Sequence, residues 1–209
     1  MKIEEINIEG KNIGSVEGSD KIFKIKPRKD IIQQVVDWQQ NRMFKKTGNT
    51  KSRGEVRGSR RKIVQQKGSG GARHGNITAP IFVGGGIAHG PRHKGKYAVK
   101  KLNKKVRKLG LVHALSSKAS MKQVAIFTEP KISSLKTKHL KNFLKNINSK
   151  SALFIHHKDA PVEFVRSIKN VPNSKKLDVV GTNVYDLIKY EKVIFTKESF
   201  KAIEERLIK

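Results

Sequence analysis

Thirteen cationic side chains fall in or just beyond one glycine-rich stretch of this 209-residue chain: Lys45, Lys46, Lys51, Arg53, Arg57, Arg60, Arg61, Lys62, Lys67, Arg73, Arg92, Lys94 and Lys96. Between residues 45 and 95 a single acid, Glu55, opposes them. Arg and Lys at this density have one chemistry in reach, charge-assisted hydrogen bonds to phosphate oxygens of a polyanion. The same stretch holds twelve of the 17 glycines. Without a Cβ, Gly68, Gly70, Gly84, Gly85 and Gly86 can bring the backbone close to such a partner and turn at positive φ. Neither helical nor strand periodicity runs through residues 45–95, which are therefore expected to form a long loop that cannot build a core by itself. Fully extended, an out-and-back excursion of that length reaches on the order of 80 Å. A self-solvating linker is the bland alternative, but Ile77, Pro80, Ile81, Phe82, Val83 and Ile87 are more apolar material than linkers carry.

Other site chemistries fit less well. Lys67-Gly68-Ser69-Gly70-Gly71 places its Lys before the glycines, whereas a P-loop needs Gly-Lys followed by Ser or Thr at a helix start. The dinucleotide fingerprint fails at Arg73, which stands at its third glycine position. His89 and His93 have helical ligand spacing, yet Gly90 and Pro91 between them forbid the helix. His156 and His157 read as a partly buried structural pair. Asp159, Glu163, Asp178 and Asp186 are dispersed among expected loops and helices, so no acid/base pair can be drawn from them. With no cysteine there is no disulfide framework, thiolate zinc site or thiol nucleophile. Neither cofactor nor metal is expected, and no small-molecule substrate.

Charge points the same way for the whole chain. Lys and Arg number 46 against 17 Asp and Glu, a formal charge of +29. Such a balance seeks nucleic acid or an anionic membrane. The membrane is disfavoured, because no apolar run reaches 18 residues and the basic stretches lack an insertable apolar face. The first ten residues show no secretory pattern, and a cytoplasmic location is expected.

The elements that must position the loop lie on both sides of it. Ile3, Ile6 and Ile8, then Ile13 and Val16, read as strands joined at Gly10, Lys11 and Asn12. Asp30 is a candidate N-cap for a helix presenting Ile31, Ile32, Val35, Val36, Gln39 and Met43, ending near Phe44. Beyond the loop, Val99, Leu102, Val106, Leu109, Val112 and Leu115 form a helical stripe. Lys100, Lys101, Lys104, Lys105, Arg107 and Lys108 lie mostly opposite it, as a basic face expected to continue that of the loop. Short apolar runs and amphipathic stretches then alternate: 123–127, 133–147, 152–156, 161–168, 177–180, 184–188, 193–195 and 197–207, the last capped by Thr196. Strict alternation predicts an α/β body, a parallel sheet flanked by helices in a Rossmann-like three-layer arrangement. The whole chain is read as one domain, 1–209, with an extended basic glycine-rich loop, 45–95, inserted.

The motifs within that loop resemble the large ribosomal subunit protein four family. Thr47-Gly48, Ser52-Arg53-Gly54-Glu55-Val56, Gln66-Lys67-Gly68-Ser69-Gly70, Ala72-Arg73, Gly75, Ala79-Pro80, Gly84-Gly85-Gly86 and Gly90-Pro91 follow the family pattern in order and spacing. Asp178-Val179 and Thr182 fit its C-terminal part, and the match runs from about Asp30 onward. The resemblance implies a structural constituent of the large subunit, with ribosomal RNA and neighbouring large-subunit proteins as partners, and a loop whose tip lies toward the peptide exit tunnel. At that tip, Ile63, Val64 and Gln65, preceding Gln66, replace the family's usual Pro-Trp-Arg. Gly71 and Thr78 stand where Arg is common, Phe82 replaces a usual Trp and His89 a usual aromatic. These changes imply weaker charge and stacking contacts there. Two other classes compete: an RNA-modifying or RNA-cleaving enzyme, with a pocket at the carboxyl ends of the strands, and a loosely specific nucleic-acid chaperone.

Overall fold

The structure, a computed structural model, describes residues 1–44, 47–92, 101–128 and 137–208. The chain divides into two units, one formed by Met1–Gln40 with Lys101–Lys209 and the other by Asn41–Lys100.

The first unit is a six-stranded sheet with helices on both faces. In chain order it contains β1 (Lys2–Ile6), β2 (Asn12–Glu17), α1 (Asp20–Phe23), α2 (Lys29–Met43), α3 (Lys104–Ser120), β3 (Val124–Phe127), α4 (Thr137–Asn146), β4 (Ala152–His156), α5 (Val162–Lys169), β5 (Ser174–Asp178), α6 (Val184–Lys189), β6 (Lys192–Thr196) and α7 (Lys197–Ile208). The strand order is β2-β1-β3-β6-β4-β5. All neighbours pair in parallel except β1 and β2. The sheet is therefore mixed, which corrects the all-parallel expectation. The reason is local: the tight connection through Gly10, whose φ is +81°, can only return the chain as an antiparallel hairpin.

Alternation within the inner strands explains the two faces. Val124, Ile126, Leu153, Ile155, Val193 and Phe195 point into one core, shared with Phe23, Val35, Leu115, Leu187 and Phe200 from α1, α2, α3, α6 and α7. Ala125, Phe127, Ala152, Phe154 and Ile194 point into the other, closed by Leu140 and Phe143 of α4 and Phe164 and Ile168 of α5. Both faces bury apolar residues, so β3, β4 and β6 read as continuous apolar runs.

Several expectations shift. Asp30 is not the cap of α2; it lies inside the first turn and pairs with Arg28, whose guanidinium it meets at 2.5 Å. On the same helix Met43 is exposed and Val35 is the buried residue. On α3 the expected stripe holds at Val112 and Leu115, which are buried, but Leu109 is 46% exposed and Gly110 faces inward beside it; Val99 lies outside the described residues. Gly110 sits there because a Cβ would come within 2.6 Å of Val35 Cγ2. The run Leu177–Val180 is not itself a strand. β5 begins at Ser174, in register with Ala152, and Val180 beyond it is 67% exposed. An edge strand tolerates Lys175 and Lys176, which hid it from a search for apolar runs. Helix α1 was missed altogether, though it contributes Ile22 and Phe23 to the core. Thr196 does cap α7, its Oγ1 accepting from Ser199 N–H at 3.3 Å. No helix among the described residues is long and apolar enough to cross a membrane.

Candidate nucleic-acid interface

Within the second unit, residues 47–92 contain turns and bends but neither helix nor strand. Its backbone is held by a few cross-links. Thr50 N–H donates to Pro91 O at 2.9 Å and Ile87 N–H to Lys51 O at 2.8 Å, laying the outgoing and returning limbs side by side. Farther along, Ile63 N–H donates to Gly75 O at 2.9 Å. Glu55 ties the base of this arrangement. Its carboxylate accepts from Ser52 N–H at 2.9 Å, from Ser52 Oγ at 3.2 Å and from Arg92 Nη1 at 3.0 Å. Those bonds, the Ser52 N–H foremost, then the Ser52 hydroxyl and the Arg92 guanidinium, hold the Glu55 pKa below the usual glutamate range.

The glycines separate into two kinds. At Gly85 a Cβ would lie 2.0 Å from Ala79 O, and at Gly86 one would lie 2.2 Å from Arg53 N. The close approach at these two is to the chain's own backbone. Gly68, Gly70 and Gly84 have φ of +88°, +66° and +83°, with open space where a Cβ would stand. Around Gly86 the unit packs on itself: Thr78 is 2% exposed and its carbonyl accepts from Gly86 N–H at 3.0 Å.

Every described cation predicted for this site is exposed: Lys51, Arg53, Arg57, Arg60, Arg61, Lys62, Lys67, Arg73 and Arg92. Two shallow grooves gather some of them. One, of about 420 Å³, is lined by Arg53, Arg60 and Lys62 with Gly54, Gly75 and Asn76. The other, of about 540 Å³, is lined by Ser59, Arg61, Lys62, Ile63, Val64, Gln65 and Ile77, so it joins two cations to three of the four tip residues. The fourth, Gln66, accepts from Lys62 Nζ. Lys51, Arg57, Lys67, Arg73 and Arg92 line neither groove. Lys45, Lys46, His93, Lys94, Lys96 and Lys100 lie outside the described residues. Ile63, Ile77, Ile81, Val83 and Ile87 are exposed apolar side chains among the cations.

In the first unit, Lys101, Lys104 and Lys105 are exposed, and Arg107 and Lys108 half-buried. His156 and His157 are both half-buried; His156 Nδ1 lies 2.9 Å from His157 O and His157 Nδ1 lies 3.0 Å from Asp159 Oδ2. No group of three or more His, Asp or Glu among the described residues could hold a metal ion. The sequence reading missed a cationic cleft on this unit, lined in part by Trp38, Arg107 and Arg206. Its signals in the sequence were Trp38, the single tryptophan of the chain, and the basic face that holds Lys104, Arg107 and Lys108.

The model of the ribosomal protein L4/L1 family matches residues 16–206. The chain belongs to that family. It is 41% identical over 207 residues to large ribosomal subunit protein uL4 of Hyphomonas neptunium, covering 99% of this chain and 96% of that one. Its identity to the uL4 of Pelagibacter ubique is 38% over 207 residues, covering 99% of each. With the uL4 of Rickettsia akari it is 37% over 208 residues, covering 99% of this chain and all of the relative. The L4/L1 family membership agrees with the resemblance carried by the glycine and arginine motifs between Thr47 and Pro91.

Proposed function

We propose that this chain is a structural constituent of the large ribosomal subunit, in the cytoplasm, that binds ribosomal RNA and contacts neighbouring large-subunit proteins without catalysing a reaction. The body, read as a Rossmann-like three-layer scaffold in a single domain, presents an inserted basic loop at 45–95 whose tip, Ile63 to Gln66, lies toward the peptide exit tunnel. The observation that carries this is the set of nine cations between residues 47 and 92, all exposed and opposed only by Glu55.

Arg53, Arg60 and Lys62 around one groove suit a phosphate, because three cationic donors converge on a space that an oxyanion can fill. Arg61 and Lys62 beside Ile63 and Val64 suit a phosphate flanked by sugar or base surface. Gly68, Gly70 and Gly84, open on the Cβ side, give the backbone close access to RNA. The loop takes its final shape on RNA, since like charges repel in isolation and its exposed isoleucines and valine gain cover only from a partner. RNA shape, rather than base identity, selects the site.

Sedimentation of tagged protein from cell extract through a high-salt gradient tests this reading. Co-migration with large subunits is expected. Protein left at the top of the gradient, or purified protein that turns over RNA, would contradict it.

A further inference from the structure

The first unit has a cleft of about 390 Å³, at the small end of the roughly 300–1,000 Å³ typical of ligand sites. Residues from α2, α3, α6 and α7 line it. Lys104, Arg107, Lys108 and Arg206 contribute four cations, and the lining contains no carboxylate. None of the four takes part in a salt bridge among the described residues. The Arg107 guanidinium lies over the Trp38 ring, 4.8 Å from its centroid. That stacking fixes the guanidinium at the cleft wall, yet its Nε is shielded from solvent and has no hydrogen-bond partner.

The neutral polar groups of the wall are already engaged. Thr182 Oγ1 donates to Asp178 O at 3.3 Å, Asn183 Oδ1 accepts from Asp186 N–H at 2.9 Å, and Gln39 Oε1 accepts from Tyr185 N–H at 2.9 Å. Arg206 spends one N–H on Val179 O. What the cleft offers a ligand is therefore positive charge and a flat Arg–Trp stack beside Val35, Leu111, Val184 and Leu207. A phosphate satisfies the cations but not the apolar wall. An apolar ligand does the reverse. A nucleotide does both, with its phosphate on the lysines and its base against the stacked and aliphatic surface.

We infer that this cleft takes one unpaired nucleotide of an RNA strand, a contact on the body separate from the phosphate clamps of the second unit. The inference rests on the RNA-binding reading above. Base-paired RNA would not enter, because its bases are stacked within the helix and only its phosphates and sugar edges are displayed.

Because Trp38 is the single tryptophan, its fluorescence in the intact protein reports on this cleft alone. Four probes are titrated at fixed ionic strength: oligoadenylate, a blunt RNA duplex of equal length, AMP and inorganic phosphate. Oligoadenylate is expected to change Trp38 emission saturably, AMP more weakly, and duplex or phosphate hardly at all. Lys108→Gln and Arg107→Gln should each shift the oligoadenylate midpoint by about tenfold, the size of one lost charged hydrogen bond. The exposed Lys104→Gln, which leaves the Arg107–Trp38 stack in place, guards against a folding artefact and should shift it in the same direction.

An unchanged emission, an equal response to duplex or phosphate, AMP binding as tightly as oligoadenylate, or midpoints untouched by all three substitutions would each overturn the assignment. Failure of the loop reading shows elsewhere, in a shallow salt dependence of total RNA binding, and leaves the Trp38 titration unaffected.

Discussion

At the residue scale, Glu55 is the lone negative charge in a field of cations, and its bonding explains its place. It ties Ser52 to Arg92, one near the start of the second unit and one near its end. Its pKa is depressed, so the ionised form stabilises this link. That contribution is complete above the ordinary glutamate value of about 4.3 and is lost as pH falls through the depressed one. The Ser52 amide resonance should therefore titrate with a midpoint below about 4.3; a midpoint above it would show that the carboxylate is not held by these donors. Gly86 carries a second expectation. An added Cβ meets backbone atoms of Ser52 and Arg53, which cannot swing aside, whereas Gly71 has open space. Gly86→Ala should weaken binding to ribosomal RNA roughly tenfold, equivalent to ~1.4 kcal/mol, and Gly71→Ala should not. Equal affinities in a filter-binding assay would show that the Gly86 packing does not shape the interface. The sequence placed both glycines in a functional loop, but could not tell which stand open and which meet their own backbone, because that depends on a contact 33 residues away between Gly86 and Arg53.

At the scale of elements, most of the body was legible because β3, β4 and β6 bury both faces and so appear as unbroken apolar runs. Errors fell where burial is one-sided. On helix α3, Leu109 was placed inward because it outranks Gly110 in hydrophobicity, while packing against Val35 needs the smaller residue inside. Edge strand β5 was read as a run starting only at Leu177, because half-exposed positions before it admit Lys175 and Lys176. The α2–α3 contact yields a sign test. Gly110→Ala gains about 1 kcal/mol of helix propensity but overpacks Val35, at a cost of about 1–3 kcal/mol, for a net loss of stability. In a Val35→Ala background the clash disappears and the same substitution should become neutral or stabilising. Urea denaturation of the four proteins checks this, and an unchanged sign would mean that the helices do not touch through Gly110.

At the scale of the whole molecule, charge was the most legible property of all, since +29 on 209 residues needs no structure to interpret. The family motifs between Thr47 and Pro91 were equally plain. The cleft at Trp38 was not, because Trp38 from α2 and Arg206 from α7 meet Lys104, Arg107 and Lys108 of α3 only in the folded chain. The central claim is that exposed cations, chiefly those of the second unit, bind RNA through phosphates. If roughly ten of them displace counterions, the logarithm of affinity should fall with the logarithm of salt concentration at a slope of about −7 to −9. The most direct test is that slope, measured with the intact protein on large-subunit ribosomal RNA. A value in this range is the expected result, and a value near −2 would contradict it.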